Sequence, residues 1–180
     1  EEARRGWSRK ALIRRIVTSA VYRQASRNRD DLREIDPQNL LLARQNRLRV
    51  EAEIVRDLSL DAAGLLSRKV GGPSVFPPLP PGIAELSYAG NFKWNVSGGS
   101  DRHRRGMYTF IKRTSPYPSL TTLDAPSREI CTIRRISTNT PLQALVTLND
   151  PVFVEAAQAL ARRAQREAPG DAAKSIARAF

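Results

Sequence analysis

The stretch from Arg134 to Pro141 joins a pair of cations to a predicted helix start. The N-terminus of a helix carries free N–H groups and the positive end of the helix dipole. Hydroxyl groups and guanidinium forks nearby would complete a pocket for sulfate, phosphate or carboxylate. The pattern therefore predicts an anion-binding site formed by Arg134, Arg135, Thr138, Asn139 and Thr140. The alternative is that the threonines only cap the helix and that the arginines pair with acids, namely Asp124, Glu129 or Asp150.

Four residues carry groups that could catalyse hydrolysis, namely Asp124, Ser127, Glu129 and His103. A Ser-His-Asp triad is one arrangement to consider, but no serine lies in the G-x-S-x-G turn that exposes a nucleophile. Glycoside hydrolysis needs two carboxylates about 5 to 10 Å apart, and the sequence does not set that distance. We therefore expect Asp124 to cap a turn and His103 to lie at the surface. A hydrolase acting on polysaccharide stays the alternative.

Cys131 is the single cysteine of the chain. Neighbouring arginines could lower the pKa of its thiol and make it a nucleophile. Its position between Ile130 and Ile133 instead predicts a small buried hydrophobic side chain. With one Cys and one His, the sequence contains neither a Cys-based zinc cluster nor the haem motif C-x-x-C-H. We therefore expect no metal or cofactor to be bound by these residues.

The net charge of +12 restricts the classes of partner. Such a balance attracts polyanions, which include nucleic acid, anionic lipid and anionic polysaccharide, and it also suits an acidic neighbouring domain. Six aromatic residues interleave with the cations and could stack nucleic acid bases: Tyr88, Phe92, Trp94, Tyr108, Phe110 and Tyr117. No RNP1 or zinc-finger motif accompanies them, so nucleic-acid binding depends on charge alone. No apolar run has the length of a membrane span.

The N-terminal elements are predicted to be helical. Ser8 can cap a helix whose apolar positions lie at helical spacing, namely Leu12, Ile13, Ile16, Val17, Ala20 and Val21. Its other side is basic; such a helix could lie on a membrane, but a solvated face is the interpretation that we prefer. Asp36 and Pro37 form a cap followed by an N1 proline, which predicts a long helix that runs to about Leu66.

The rest of the chain divides into an irregular middle and a helical end. Residues 71–100 are rich in Pro and Gly and predict irregular structure. Two runs rich in β-formers, 106–113 and 128–135, predict a small pair of strands around a long loop. Cap-plus-proline pairs at Thr140-Pro141 and Asp150-Pro151 start two more helices, and Asp171 caps a last one. We expect a mainly α fold with an irregular central third and one small two-stranded β element.

The sequence also resembles a known family. The block "RRGMYTFIKRTSPYPSLTTLDAPSREICTIRRISTNTPLQALVTLNDPVFVEAAQALARR", from Arg104 to Arg163, is similar to the C-terminal part of the planctomycete-specific domain called domain-of-unknown-function family 1553. The similarity spans Gly6 to Arg166. It implies a large exported bacterial protein, placed in the periplasm or at the cell surface. It also implies that c-type haem is bound by a separate N-terminal domain.

The resemblance provides no catalytic residue. We expect residues 1–180 to form a single domain that is a fragment of a longer multidomain protein. Its expected role is an interaction module that packs against sister domains and binds anionic polysaccharide. The alternatives are a polysaccharide hydrolase and a nucleic-acid binder, and the implied export disfavours the second.

Overall fold

A computed structural model describes residues 6–83 and 93–179. The chain divides into two compact units, residues 1–49 and residues 50–180. Tyr88 and Phe92, two of the aromatic residues considered for base stacking, lie outside the described residues, as do the other residues of 84–92 within the segment 71–100.

The first unit begins with helix α1, Arg9–Val17. Ser8 caps it, because its hydroxyl accepts a hydrogen bond from the Ala11 N–H at 3.4 Å. This confirms the predicted helix start. The unit also contains a single 3-10 turn among its described residues, Asp30–Leu32.

The predicted long helix from Pro37 to Leu66 is wrong in its first half. The buried Asp36 carboxylate accepts hydrogen bonds from the N–H groups of Leu40 and Leu41 at 2.7 and 2.8 Å. Asn39 and Leu42 have positive φ angles of 56° and 53°, which a right-handed helix does not allow. Side-chain hydrogen bonds to the backbone thus replace helical ones here, as Asp and Asn often allow.

The second unit is mainly helical and confirms the predicted fold class. Helix α2 is Ala52–Ala62, and the short α3 is Pro118–Thr122. Helices α4, α5 and α6 follow, as Pro141–Asn149, Pro151–Glu167 and Ala172–Ala179. Helix α5 packs against α2, α4 and α6. The buried hydrophobic residues form two clusters between these helices: Ala52, Tyr117, Leu120, Leu123 and Phe153 in one, and Leu60, Ala63, Val152, Ala156 and Ala159 in the other.

A buried arginine organises the irregular middle of this unit. The Arg104 guanidinium lies 3.7 Å from the centre of the Tyr108 ring and donates hydrogen bonds to the carbonyls of Lys69, Gly71 and Pro73. Arg104 is 1% exposed. A guanidinium can satisfy several carbonyls at once because its donors are arranged in a rigid fork. This arrangement gives order to a segment that contains no regular helix or strand.

The predicted pairing of residues 106–113 with residues 128–135 is wrong. Gly106–Tyr108 forms a 3-10 turn, and 128–135 contains no strand residue. Isolated bridges occur instead, of which one pairs Val75 with Thr109. The chain from 128 to 135 is held by side chains rather than by a backbone ladder.

Candidate functional site

Arg135 is held by acidic residues at the start of α2. Its guanidinium donates to both carboxylate oxygens of Glu53, at 2.6 and 3.2 Å, and lies 3.3 Å from Glu51. Arg128 approaches Glu53 at 3.8 Å. Burial by itself would raise the pKa of Glu53, but the Arg135 hydrogen bond, a backbone hydrogen bond and the charges of Arg135 and Arg128 outweigh it and hold that pKa below its ordinary value. Arg135 is therefore engaged with carboxylates of its own chain.

Asp124 closes the loop that leads into α4. Its carboxylate accepts hydrogen bonds from the Thr138 N–H at 2.7 Å and from the Thr138 hydroxyl at 2.8 Å. The buried Gln143 amide donates to Asp124 at 3.1 Å and to the Thr122 carbonyl at 3.0 Å. Its oxygen accepts from the Thr140 N–H at 3.1 Å. Side chains of the same chain thus occupy the start of α4.

These contacts show how several residues of the predicted anion site are engaged in the fold. Thr138 is bound to Asp124 and Arg135 to Glu53, whereas Asn139 and Thr140 are exposed. Arg134 is exposed and has no ion pair with any residue that the structure describes. The anion site stays a prediction, with Arg134 as its accessible cation.

His103 does not lie at the surface as expected. It is half-buried, and its Nε2 lies 3.0 Å from a Glu155 carboxylate oxygen. Arg102 donates to the other oxygen of Glu155 at 3.0 Å. Burial opposes the ionised form of Glu155, but the two hydrogen bonds prevail and lower its pKa. His103 and Asp124 therefore engage different partners.

Ser127, Glu129 and Cys131 are exposed. The Glu129 N–H donates to the Ser127 hydroxyl at 3.3 Å. Burial of Cys131 was the wrong expectation: its neighbour Ile130 is exposed as well, because no strand forms to place this run inside the fold. Participation of Asp124, Ser127, Glu129 or His103 in hydrolysis stays a prediction.

An interior cluster that sequence reasoning missed lies between α2, α3 and α5. It consists of Arg56, Tyr117, Ser119 and Asp150, all buried. The Ser119 hydroxyl donates to Asp150, which also caps α5 by accepting from the Val152 N–H at 2.9 Å. Burial, reinforced by Asp150, raises the pKa of Tyr117. Asp150 was recognised from sequence as a helix cap, but nothing local indicated its buried partner Ser119.

Arg56 is the unusual member of this cluster. It is 2% exposed, and its Nη2 donates to the Arg102 carbonyl at 3.1 Å. Its Nε and Nη1 have no hydrogen-bond partner in the described part of the chain. Burial lowers the pKa of this guanidinium. The cluster lines a cavity of about 10 Å³, close to what one buried water needs by the same measure, so it has no room for a substrate.

Residues 130–148 are one of several segments in which exposed apolar residues are frequent. Helix α4 buries Gln143, whereas Leu142, Leu145 and Leu148 are each more than half exposed. Ile130, Ile133 and Ile136, in the extended chain before α4, are more exposed still. We call these six residues the α4 apolar surface. In a globular protein the apolar side chains of a helix usually face the core and the polar ones face solvent. In α4 the side-chain amide of Gln143 faces inward and the three leucines face outward, which reverses this pattern.

Together these features define a mainly helical domain whose polar side chains largely pair with one another. No group of three or more His, Cys, Asp or Glu side chains among its described residues could hold a metal ion. No helix within 6–83 or 93–179 is long and apolar enough to cross a membrane.

The family described as "PSD1: Protein of unknown function (DUF1553)" has a model that matches residues 2–180, and the chain belongs to this family. This confirms the resemblance found in the sequence. No curated protein matches the chain. No solved structure matches it either.

Proposed function

We propose that residues 50–180 form an interaction domain that packs its α4 apolar surface against an acidic, apolar face of a sister domain in the same polypeptide. The observation that carries this proposal is the reversed polarity of α4. Gln143 is buried, and its side-chain amide is hydrogen-bonded to Thr122, Asp124 and Thr140, so the helix cannot rotate to bury its leucines instead. The leucines are therefore available only to a partner.

Burial of this surface would supply a substantial driving force. Full burial of a leucine or isoleucine contributes about 1.5 to 3 kcal/mol relative to exposure. Exposed apolar residues scattered singly need no explanation, whereas a large contiguous exposed apolar patch marks an interaction site. The six residues of the α4 apolar surface all fall within residues 130–148.

The charge of the chain favours an acidic partner. α4 contains no charged residue, and the exposed Arg134 lies within the apolar segment before it. A second copy of this chain would bring two molecules of net charge +12 together, which electrostatic repulsion opposes. An acidic face would instead neutralise Arg134 and the surrounding positive potential.

Site-specific photo-crosslinking in the native host tests this proposal. A photoreactive phenylalanine analogue at Leu145 should crosslink to an acidic, apolar segment of the same polypeptide outside these residues, identified as peptides by mass spectrometry. The same group at the exposed Arg162 of α5 is the matched control and should not reach that segment. Crosslinks from Leu145 to a second copy, to a separate protein, or to no protein at all would each overturn the proposal.

Binding of anionic polysaccharide is a second candidate function, which the exposed Arg134 supports. Heparin serves as the probe. Arg134→Ala should weaken heparin binding about fivefold, which corresponds to the loss of about 1 kcal/mol for one charged contact. Arg162→Ala removes the same charge elsewhere and should have less effect. Arg135→Ala removes the arginine that Glu53 engages and allows its contribution to heparin binding to be compared with that of the accessible Arg134. Equal losses in Arg134→Ala and Arg162→Ala would show attraction by net charge alone and would contradict a local site.

A further inference from the structure

Helix α1 presents an apolar face that the described residues leave about half exposed. None of its residues is buried. Leu12, Ile13, Ile16 and Val17 are between 39% and 58% exposed. At about 100° per residue these four positions fall within an arc of about 140° on one side of the helix. Arg14 and Arg15 lie on the opposite side, Lys10 lies at the edge beside Val17, and Arg9, the first residue of the helix, falls within the apolar arc.

The charge around this face has one sign. No Asp or Glu occurs from Gly6 to Asn28, whereas several cations do: Arg9, Lys10, Arg14, Arg15, Arg23 and Arg27. Trp7, directly before the helix cap, is 76% exposed, and Tyr22, just beyond the helix, is half exposed. Trp and Tyr side chains favour the boundary between apolar and aqueous phases, because each combines an apolar ring with a polar group.

We propose that α1 lies flat on an anionic lipid surface, with Leu12, Ile13, Ile16 and Val17 in the acyl boundary. Trp7 sits at headgroup level, and the cations on the opposite side contact lipid phosphates and the negative surface potential. Helices that combine apolar and cationic faces bind membranes in this way, through buried apolar area plus attraction to anionic lipid. An acidic protein surface would satisfy the charge as well, and the tests below distinguish it; Trp7 before the helix and Tyr22 after it stand where interfacial anchors of a lipid-bound helix would stand. At nine residues, α1 lies on a bilayer rather than crossing it.

Vesicle sedimentation tests the proposal with vesicles of phosphatidylcholine alone and vesicles that also contain phosphatidylglycerol. The protein should sediment with the anionic vesicles, and its tryptophan emission should shift to the blue. The shift should disappear in Trp7→Phe, because the other tryptophan, Trp94, is packed in the second unit and hydrogen-bonded to Pro77.

A charge-neutral pair of variants separates insertion from simple adsorption. Ile13→Ser/Ile16→Ser should lower binding to anionic vesicles about tenfold or more, since each isoleucine loses much of its burial energy. Leu58→Ser/Ile176→Ser, which changes two exposed apolar residues outside α1 and outside the α4 apolar surface, should bind as the unaltered protein does. Circular dichroism checks that both variants remain folded.

Equal binding by both double variants would overturn the proposal, because it would show adsorption by net charge alone. A blue shift of Trp7 on addition of polyglutamate, without one on anionic vesicles, would also overturn it in favour of an acidic protein partner. Loss of binding in the α1 variant alone, together with the Trp7 shift on vesicles alone, would support it.

Discussion

Gly106 lies directly against the backbone of Glu53. A β-carbon built on Gly106 would be 2.9 Å from both the Cα and the carbonyl oxygen of Glu53. The Gly106 N–H donates to Asp57 on the next turn of α2, at 2.6 Å. This close approach holds the 3-10 turn Gly106–Tyr108 against the first half of α2, beside Glu53, which also binds Arg135.

Gly106→Ala should therefore destabilise the protein by about 1 to 3 kcal/mol, the usual range for overpacking against atoms that cannot move aside. Gly98→Ala is the matched control, because its β-carbon would meet no atom within 4 Å and its φ is negative. Urea unfolding monitored by circular dichroism measures both variants. Equal stability of the two would contradict the close approach.

Arg135→Ala should lower the free energy of unfolding by about 2 kcal/mol, because it leaves the poorly exposed Glu53 carboxylate without its main hydrogen-bond donor. A double-mutant cycle with Glu53→Gln isolates the pairwise part of this loss. Independent, additive effects of the two substitutions would show that the pair does not interact.

The same pair should make stability sensitive to acid. The pKa of Glu53 in the folded protein lies below its ordinary value of 4.5. Its contribution is therefore fully present above that value, and it declines as the pH falls through the lower folded pKa. Glu53→Gln should remove this part of the pH dependence, which thermal unfolding between neutral and acidic pH would reveal.

Asp57 should change the pH dependence of stability in the direction opposite to Glu53, and Asp57→Asn tests this. Burial raises the pKa of Asp57 despite the Gly106 N–H and the neighbouring arginines. The folded state therefore loses stability as the pH rises from the ordinary carboxyl pKa through the raised value. Asn keeps an oxygen that can accept from Gly106 and carries no charge. The variant should match the unaltered protein in acid and equal or exceed its stability at neutral pH; a clear loss at neutral pH would contradict the argument.

Gln143→Leu should destabilise the protein by about 2 kcal/mol, since it removes a partner from the carbonyl of the half-buried Thr122 and from the Thr140 N–H. Gln158→Leu makes the same change at an exposed position of α5 and should alter stability by less than about 0.5 kcal/mol. Thermal unfolding compares the two. A Gln143→Leu protein as stable as the control would show that these hydrogen bonds are dispensable.

Local signals predicted the helix starts correctly. Ser8, Asp150-Pro151 and Asp171 act as caps, and a helix begins after Thr140 as well. A cap depends on a side chain and on N–H groups two or three residues away, so the sequence contains the whole interaction. The same reasoning failed for 37–49, where Asp36 and Asn39 bind backbone groups of a turn instead of starting a helix.

The sequence by itself therefore determined the family, the mainly helical class and the points at which most helices begin. Only the tertiary structure decided which charges are paired and which apolar residues are exposed. Arg135 meets Glu53 across 82 positions, Ser119 meets Asp150 across 31, and Cys131 lies exposed beside an isoleucine. Adjacent Arg134 and Arg135 have the same side chain, yet one is held by carboxylates and the other faces solvent. The difference depends on where α2 lies in the folded chain, because pairing and burial are set by distant segments that packing brings together.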